Sequence, residues 1–337
     1  MASTQLTCTT LSGSESQALP KKFTNNEMEY KSGFRDLIDI TKMYLNADRV
    51  EPTPKSALPV MAMTKDELIA EEESVAYRLG HSSVLLKIEQ QFVLTDPVFS
   101  DRASPVQWAG PKRFHQTPLT IEELPAIDVI VISHDHYDHL DKNAVKKLAA
   151  KTSLFLVPLR VGEHLAKWGV PTNKVIELNW WESYVFNGVE YTLTPTQHFS
   201  GRTGLDRDQT LWGSWVIAAP SQRVFFSGDS GYFSGFKEIG DKYGPFDLTL
   251  IETGAYNEAW SQIHMFPEQS VQAHIDLKGK VMFPIHNSTF DLSIHDWQEP
   301  INRAIKTAQE REVQIVMPKM GERLVIGETM PLGYWWE

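Results

Sequence analysis

The sequence predicts an α/β fold with one main domain, and three observations support this prediction. Short apolar segments with the character of strands recur from about residue 74 onward. Segments with helical spacing of apolar residues lie between them. No internal repeat and no linker-like break interrupts residues 74–337, so a single domain is expected there. Residues 1–73 are polar and broken by prolines, and we expect them to form an N-terminal extension that packs on the main domain.

Ten segments are predicted to be strands because each is a short run of apolar and β-branched residues between turn-forming residues. In chain order they are residues 75–79, 84–88, 92–94, 129–132, 154–157, 191–193, 215–217, 224–226, 248–251 and 281–284.

Three segments of the main domain are predicted to be helices: 142–151, 267–276 and 296–311. The first follows Asp141, a residue type that caps helix N-termini. The second begins with Pro267, which is tolerated in the first helical turn because that position needs no N–H. A further helix is expected over 32–45 in the extension, where apolar residues recur at helical spacing.

The charge and cysteine content exclude several classes of function. The 337-residue chain has 32 Lys and Arg against 43 Asp and Glu, a formal net charge of −11. Because non-specific nucleic-acid binding requires a basic face, no nucleic-acid partner is expected. Cys8 is the only cysteine, which excludes an intrachain disulfide and a zinc site built on cysteines.

The location is less constrained by the sequence. No apolar run approaches the roughly 18–20 residues of a membrane helix. The first twenty residues lack the basic start and apolar core of a signal peptide. We therefore expect a cytoplasmic protein or a peripheral membrane protein, and the removal of a native leader stays open.

The central motif is HDHYDHLD at residues 134–141, directly after the predicted strand 129–132. Two histidines at positions i and i+2 of a turn, His134 and His136, can direct both rings at one point. Asp138 and His139 can face a second point nearby. Nitrogen and carboxylate ligands in this number suit zinc or a similar divalent metal. The alternative is a solvated polar loop.

Three more polar residues follow predicted strands directly: His198, Asp229 and His286. The carboxyl ends of strands in α/β sheets are where ligand sites form. Gly228, next to Asp229, allows a close approach of the backbone. The recurrence of this pattern at four strand ends favours one common metal site.

These motifs resemble the metallo-β-lactamase superfamily, whose signature is His-x-His-x-Asp-His followed by a separate His, Asp and His. More narrowly, the chain looks like the branch of N-acyl-phosphatidylethanolamine-hydrolysing phospholipase D. The resemblance covers about residues 75–300 and is carried by LGHSS (79–83), LTDPVFS (94–100), RASP (102–105), GPKRF (110–114), SHDHYDHLD (133–141), LWGSW (211–215), GDSGY (228–232) and GPFD (244–247).

The resemblance implies a four-layer αββα sandwich with two metal ions at one sheet edge. It implies that His134, His136 and His198 bind one ion and that Asp138, His139 and His286 bind the other. Asp229 would bridge the two ions. All seven positions carry the expected residue type. The cofactors implied are two divalent metal ions, with Zn²⁺ favoured and Mn²⁺ or Fe²⁺ as alternatives.

Three further residues receive roles. Asp96 matches an aspartate that supports the superfamily's site without binding metal, so we place it behind the ligands. The resemblance makes His264 a catalytic or substrate-binding histidine that donates a proton to the leaving oxygen or binds a phosphate oxygen. His81, in a Gly-His-Ser-Ser turn, is predicted to be a structural hydrogen-bonding residue.

Two metal ions at the distance typical of such sites share a water and lower its pKa, so we expect a metal-bridging hydroxide as the nucleophile. With two divalent ions, the site stays positive inside an acidic protein, which favours an anionic phosphodiester or carboxylate-bearing substrate. The leading hypothesis is a zinc-dependent phosphodiesterase of the phospholipase D type. It would convert N-acyl-phosphatidylethanolamine, or a similar phospholipid, to phosphatidic acid and an N-acylethanolamine.

Other hypotheses stay open on the sequence. A lactonase or another hydrolase of small esters or phosphodiesters would use the same metals with a different pocket. A di-iron redox protein of this fold carries glutamate where this chain has His136. The remaining hypothesis is a metal-stabilised binding module without catalysis. A homodimer is suggested only by the resemblance, and peripheral membrane contact rests mostly on it.

Overall fold

The computed structural model of the protein describes residues 19–30, 42–44 and 46–337, and in these residues the strands form two sheets. The seven-stranded sheet contains β1 (Val75–Gly80), β2 (Ser83–Ile88), β3 (Gln91–Thr95), β4 (Ile127–Val131), β5 (Thr152–Pro158), β6 (Val175–Leu178) and β13 (Arg323–Val325). The six-stranded sheet contains β7 (Ser183–Phe186), β8 (Val189–Thr194), β9 (Ser214–Ala218), β10 (Arg223–Phe226), β11 (Phe246–Glu252) and β12 (Gly279–Ile285).

Both sheets are mixed. The first has the order β13-β1-β2-β3-β4-β5-β6 and is parallel from β3 to β6. The second has the order β12-β11-β10-β9-β8-β7 and is parallel from β10 to β12. Parallel neighbours need crossover connections, and these connections supply helices to the outer faces of the sheets.

Helices cover the outer face of each sheet. Three lie on the first sheet: α1 (Lys65–Ala70), α2 (Lys142–Leu148) and α3 (Val161–Lys167). Three lie on the second: α4 (Gly235–Tyr243), α5 (Pro267–Asp276) and α6 (Glu299–Glu310). The order helix, sheet, sheet, helix is the αββα sandwich, so the predicted fold is confirmed.

The faces of the two sheets that meet in the middle form the main apolar core. Trp215 of β9 is fully buried there, and its Nε1–H donates to the carbonyl oxygen of Ile132 at 2.8 Å. Since Ile132 directly follows β4, this bond joins the two sheets beside the start of the HDHYDHLD motif.

All ten predicted strands overlap observed ones, and the helices predicted over 267–276 and 296–311 are present within a few residues. The helix predicted over 142–151 ends at Leu148, three residues early. The sequence prediction missed β6, β7 and β13, which lie at sheet edges, and the helices α1, α3 and α4. Edge strands carry exposed polar positions, such as Glu177 in β6 and Arg323 in β13, and this weakens the apolar pattern.

Two described parts of the extension contact the main domain. Phe23 donates its backbone N–H to Asp208, and Arg49 forms an ion pair with Asp291 at 2.6 Å. Of the helix expected over 32–45, residues 42–44 are described and helical, and the rest lies outside the described residues. The boundary between extension and main domain at residue 73 stays a prediction. No helix in the described ranges combines the length and apolar character needed to cross a bilayer.

Candidate metal centre

Four strand ends bring the seven predicted metal ligands together. The turn after β4 carries His134, His136, Asp138 and His139, and the other three follow the second sheet. His198 lies after β8, Asp229 after β10 and His286 after β12. These three strands run in the same direction, so their carboxyl ends share one edge, opposite the end of β4.

The first group consists of three imidazoles. Nε2 of His134 lies 2.9 Å from Nδ1 of His136, and Nε2 of His198 lies 3.3 Å from the same atom. Two nitrogens bound tetrahedrally to one zinc ion at its usual bond length are roughly 3.3 Å apart. The three nitrogens are therefore spaced for one metal ion, and they form a group that could hold one.

The second group contains one carboxylate and two imidazoles of the predicted set. Oδ2 of Asp138 lies 3.2 Å from Nε2 of His286 and 3.4 Å from Nε2 of His139. His81 joins this group, since its Nε2 lies 2.9 Å from the same oxygen. These atoms also lie close enough for one metal ion.

Asp229 lies between the two groups. Its Oδ1 is 3.1 Å from Nε2 of His139, and its Oδ2 is 3.1 Å from Nε2 of His286. On the other side, Oδ2 is 3.9 Å from Nε2 of His134 and 3.8 Å from Nε2 of His198. A carboxylate in this position can bridge two metal ions.

Gly228 permits this placement of Asp229. Its φ is +56°, and a Cβ built on it would lie 2.5 Å from the Cβ of Ser133. A side chain would therefore clash with the residue that precedes His134 and would strain the backbone. The sequence prediction of a close backbone approach at this glycine is confirmed.

The donor atoms are better arranged to bind metal ions than to form hydrogen bonds with one another. Nε2 of His139 and Oδ1 of Asp229 are buried without a hydrogen-bond partner, although they face each other. Buried polar atoms without partners are rare in native proteins and call for an explanation. A divalent ion would satisfy them, and a set of imidazoles with two carboxylates suits zinc and similar metals.

The carboxylates set the charge of the surrounding histidines. Burial disfavours the charged form of His286, but Asp229 and Asp138 raise its pKa to about 10. In His134, burial and the neighbouring histidines hold the pKa well below its usual range. Because a metal binds the unprotonated nitrogen, metal binding at His286 must displace a proton, and metal affinity falls as the pH falls.

Asp96, to which the resemblance gives a supporting role, lies behind His139. It is fully buried, its Oδ2 lies 2.7 Å from Nδ1 of His139, and its Oδ1 accepts the N–H of Ser133 at 2.7 Å. Burial raises the pKa of this carboxyl, and the contact with His139 opposes that rise. The arrangement fixes the His139 ring with Nε2 directed at Asp138 and Asp229.

His264 lies at the rim of the centre. Its side chain is 14% exposed, whereas those of His198 and His286 are at most 1% exposed. Its ring centroid is 5.1 Å from that of His198 and 5.5 Å from that of His286. This position is accessible to a substrate beside both predicted metal groups.

The sequence reasoning missed two residues of the centre. Glu252, fully buried at the end of β11, contacts Nδ1 of His264 through Oε1. Asp229 is predicted because it directly follows a predicted strand. Glu252 directly follows the predicted strand 248–251, so the same reasoning would have found it. Asn25 of the extension accepts the N–H of His198 at 3.1 Å and donates to its carbonyl oxygen at 2.7 Å. No local signal in the sequence marks Asn25, because its partner is 173 positions away.

The family described as "Beta-lactamase superfamily domain" matches residues 91–287, more than half of the chain. The chain belongs to the beta-lactamase superfamily. Membership of the superfamily confirms the prediction of a metal-dependent hydrolase. The match includes all seven predicted ligand positions, and it ends one residue after His286.

Two curated relatives within the superfamily are close in sequence. The chain is 46% identical over 261 residues to an uncharacterized protein of Mycobacterium tuberculosis strain H37Rv, covering 76% of this chain and 70% of the relative. It is 36% identical over 327 residues to N-acyl-phosphatidylethanolamine-hydrolyzing phospholipase D 1 of Caenorhabditis elegans, covering 90% of each. The branch of the superfamily predicted from the sequence is thereby confirmed.

A solved structure supports the superfamily fold independently. Igni18, a metallo hydrolase from the archaeon Ignicoccus hospitalis, matches with a TM-score of 0.58 and 21% sequence identity, covering 75% of this chain and 98% of its own. At this identity the likeness concerns the fold alone.

Proposed function

We propose that this chain is a dinuclear zinc phosphodiesterase of the phospholipase D type, acting on N-acyl-phosphatidylethanolamine or a similar phospholipid. The observation that carries the proposal is Asp229, which lies between two groups of metal-type donors at a sheet edge. The substrate class is taken from the relative in Caenorhabditis elegans, which aligns over 90% of the chain.

We assign the proposed ligands to two metal ions according to the two groups of donor atoms described above. His134, His136 and His198 would hold one ion, and Asp138, His139 and His286 would hold the other, with Asp229 shared. When bound, two such ions activate a water as the nucleophile and neutralise charge on a phosphate. The many imidazole donors favour zinc over magnesium or calcium, which prefer oxygen ligands.

The protein's own residues would prepare the centre for an anionic substrate. Asp138 and Asp229 together cannot neutralise two divalent ions, so the occupied centre attracts a phosphodiester. His264, at the exposed rim, would hydrogen-bond the leaving oxygen of the head group and supply its proton. Burial lowers the pKa of His264 to about 4, and Asp229 opposes that shift, so the proton-donating form of the ring is a minor form near pH 7.

The test is mass spectrometry of the products from N-acyl-phosphatidylethanolamine in H₂¹⁸O, with protein loaded with zinc. We expect phosphatidic acid and N-acylethanolamine, with ¹⁸O in the phosphatidic acid, because water would attack phosphorus and break the P–O bond on the head-group side. Asp138→Asn should lower the rate by at least about a thousandfold. Exposed Asp66 in α1 provides the control, and Asp66→Asn should leave the rate unchanged.

Other outcomes would contradict the proposal. Heavy oxygen in a released fatty acid would indicate attack at a carbonyl, as in a lactonase or esterase. No turnover by a protein that contains two zinc ions per chain would exclude this substrate. If the Asp138→Asn protein is fully active, Asp138 has no role in the reaction.

A further inference from the structure

The buried carboxylate of Glu252 is held in one position by its surroundings. Its Oε2 accepts the backbone N–H of Ser230 at 2.6 Å, and its own N–H donates to Oγ of Ser227 at 2.9 Å. Its carbonyl oxygen accepts the hydroxyl of Ser270 at 2.6 Å. Because a buried carboxylate without partners is costly, the carboxylate's contacts with Ser230 and His264 explain how Glu252 is tolerated.

The remaining oxygen, Oε1, contacts Nδ1 of His264. The opposite ring nitrogen, Nε2, is therefore directed away from Glu252. The side chain of His264 is 14% exposed while that of Glu252 is fully buried, so within this pair only the histidine is accessible from solvent. The ring lies beside His198 and His286, one from each predicted metal group.

A competing role for Glu252 is direct metal binding, since it lies in a group with Asp229, His264 and His286 that could hold an ion. Both of its carboxylate oxygens already have partners, Ser230 and His264. A metal ion would compete with these contacts for the two carboxylate oxygens. The contacts favour a role through His264.

We propose that Glu252 is a positioning residue that fixes the ring of His264 and presents Nε2 to the substrate's leaving oxygen. This inference rests on the proposed function, in which water adds to phosphorus and the P–O bond to the head group breaks. The doubly protonated ring donates Nδ1–H to Glu252 and gives its Nε2 proton to the leaving oxygen, so the ring becomes neutral. The proton lost by the water goes to solvent, and solvent reprotonates Nε2. An alkoxide leaving group depends on this proton, whereas a nitrophenolate, a much weaker base, does not.

The experiment compares two substrates in the full-length zinc protein: N-acyl-phosphatidylethanolamine and bis(p-nitrophenyl) phosphate. Glu252→Ala should lower kcat on the phospholipid about a hundredfold, as should His264→Gln, and kcat on the nitrophenyl diester less than about threefold. Glu252→Gln should hold the ring, because an amide can accept from Ser230 and donate to Nδ1. It should restore only part of the phospholipid activity lost in Glu252→Ala, because Nδ1 then carries no proton and the ring stays neutral. The double variant Glu252→Ala/His264→Gln should be no slower than His264→Gln alone.

A matched control is available at the edge of the first sheet. Glu177 in β6 also accepts a backbone N–H, that of Gly162, at 2.8 Å. Glu177→Ala should leave both substrates unaffected. Zinc content should be the same in wild type, Glu252→Ala and Glu252→Gln, because Glu252 is not proposed to bind metal.

Several results would overturn the inference. Equal losses on both substrates, a double variant well below His264→Gln, or loss of zinc from Glu252→Ala would each show that Glu252 acts on the metal centre itself. A failure of this inference can be told apart from a failure of the proposed function, because the contact between Glu252 and His264 can be measured without any enzymatic turnover. ¹⁵N NMR of the histidine rings should show a protonated Nδ1 on His264 in wild type, absent in Glu252→Gln. An unchanged His264 signal in that variant contradicts the positioning role, whatever the substrate.

Discussion

At the scale of single residues, the centre depends on carboxylates that hold histidines from behind. Asp96 contacts Nδ1 of His139, and Glu252 contacts Nδ1 of His264. In each pair the second ring nitrogen is left to face the centre or its rim. A fixed ring loses less freedom when it binds a metal or a substrate, and this explains why fully buried acidic residues are retained here.

Asp96→Asn should weaken metal binding about 10–100-fold, because an amide does not hold the His139 ring as a carboxylate does. Competition with a chelator, followed by measurement of bound zinc, would test this. Asp128→Asn is a suitable control, since Asp128 accepts the N–H of Phe92 at 2.8 Å and is not among the predicted site residues. Equal zinc retention by wild type and Asp96→Asn would contradict the supporting role.

At the scale of elements, the extension holds a residue of the centre. Residues 19–30 contact the segment after β8, where Asn25 binds both backbone groups of His198 and accepts the Nε1–H of Trp212 at 3.0 Å. Met28 adds a bond, since its carbonyl oxygen accepts the side-chain amide of Gln197. The superfamily match begins only at residue 91, so this contact comes from outside the matched region.

Asn25→Ala should lower the free energy of unfolding by about 1–3 kcal/mol, since it leaves the buried N–H of His198 without its acceptor. The Nε1–H of Trp212 keeps the carbonyl oxygen of Thr196 at 3.2 Å. The substitution should also speed the loss of zinc, because the backbone that carries His198 is no longer held. Urea unfolding and zinc release to a chelator measure the two effects. The neighbouring, exposed Asn26 gives a control of the same residue type, and Asn26→Ala should change neither.

At the scale of the whole molecule, the segments at the two ends of the main domain pair with each other. The late strand β13 pairs with β1, the first strand, so the first sheet is completed only when residues 323–325 return. Arg323 then forms ion pairs with Glu71 and Glu73, just before β1. The hydrogen bond from Arg323 lowers the pKa of Glu71 to about 2.

This pair predicts a pH-dependent contribution to stability. The folded-state pKa of Glu71, about 2, lies below the ordinary value of 4.5, so the stabilisation is fully present above pH 4.5 and is lost as the pH falls toward 2. Arg323→Gln should therefore cost up to about 1 kcal/mol at pH 7 and progressively less at lower pH. Urea unfolding at pH 7 and pH 3 tests this.

The control for this pH dependence is Lys306→Gln. Lys306 and Glu310 are exposed and 4.0 Å apart, so their pair should contribute little at any pH. A constant difference between Arg323→Gln and wild type from pH 7 to pH 3 would contradict the assignment to Glu71.

The sequence by itself determined the central parts of the fold. Central strands such as β4 and β11 are largely buried on both faces, so they stand out as mostly apolar runs without reference to the rest of the chain. The HDHYDHLD motif gave four predicted ligands through their spacing, and the strand-end rule gave His198, Asp229 and His286. Motif order then indicated the superfamily.

The tertiary structure alone decided which residues support the centre and how the elements assemble. Asn25, Glu252 and the pairing of β13 with β1 depend on residues far apart in the chain. Neither a hydrogen bond to a distant backbone nor the pairing of an edge strand leaves a periodic pattern, because neither requires a repeated burial of apolar side chains. Residue type and position at strand ends therefore predict the candidate ligands, and the packing of distant segments determines how those residues are held.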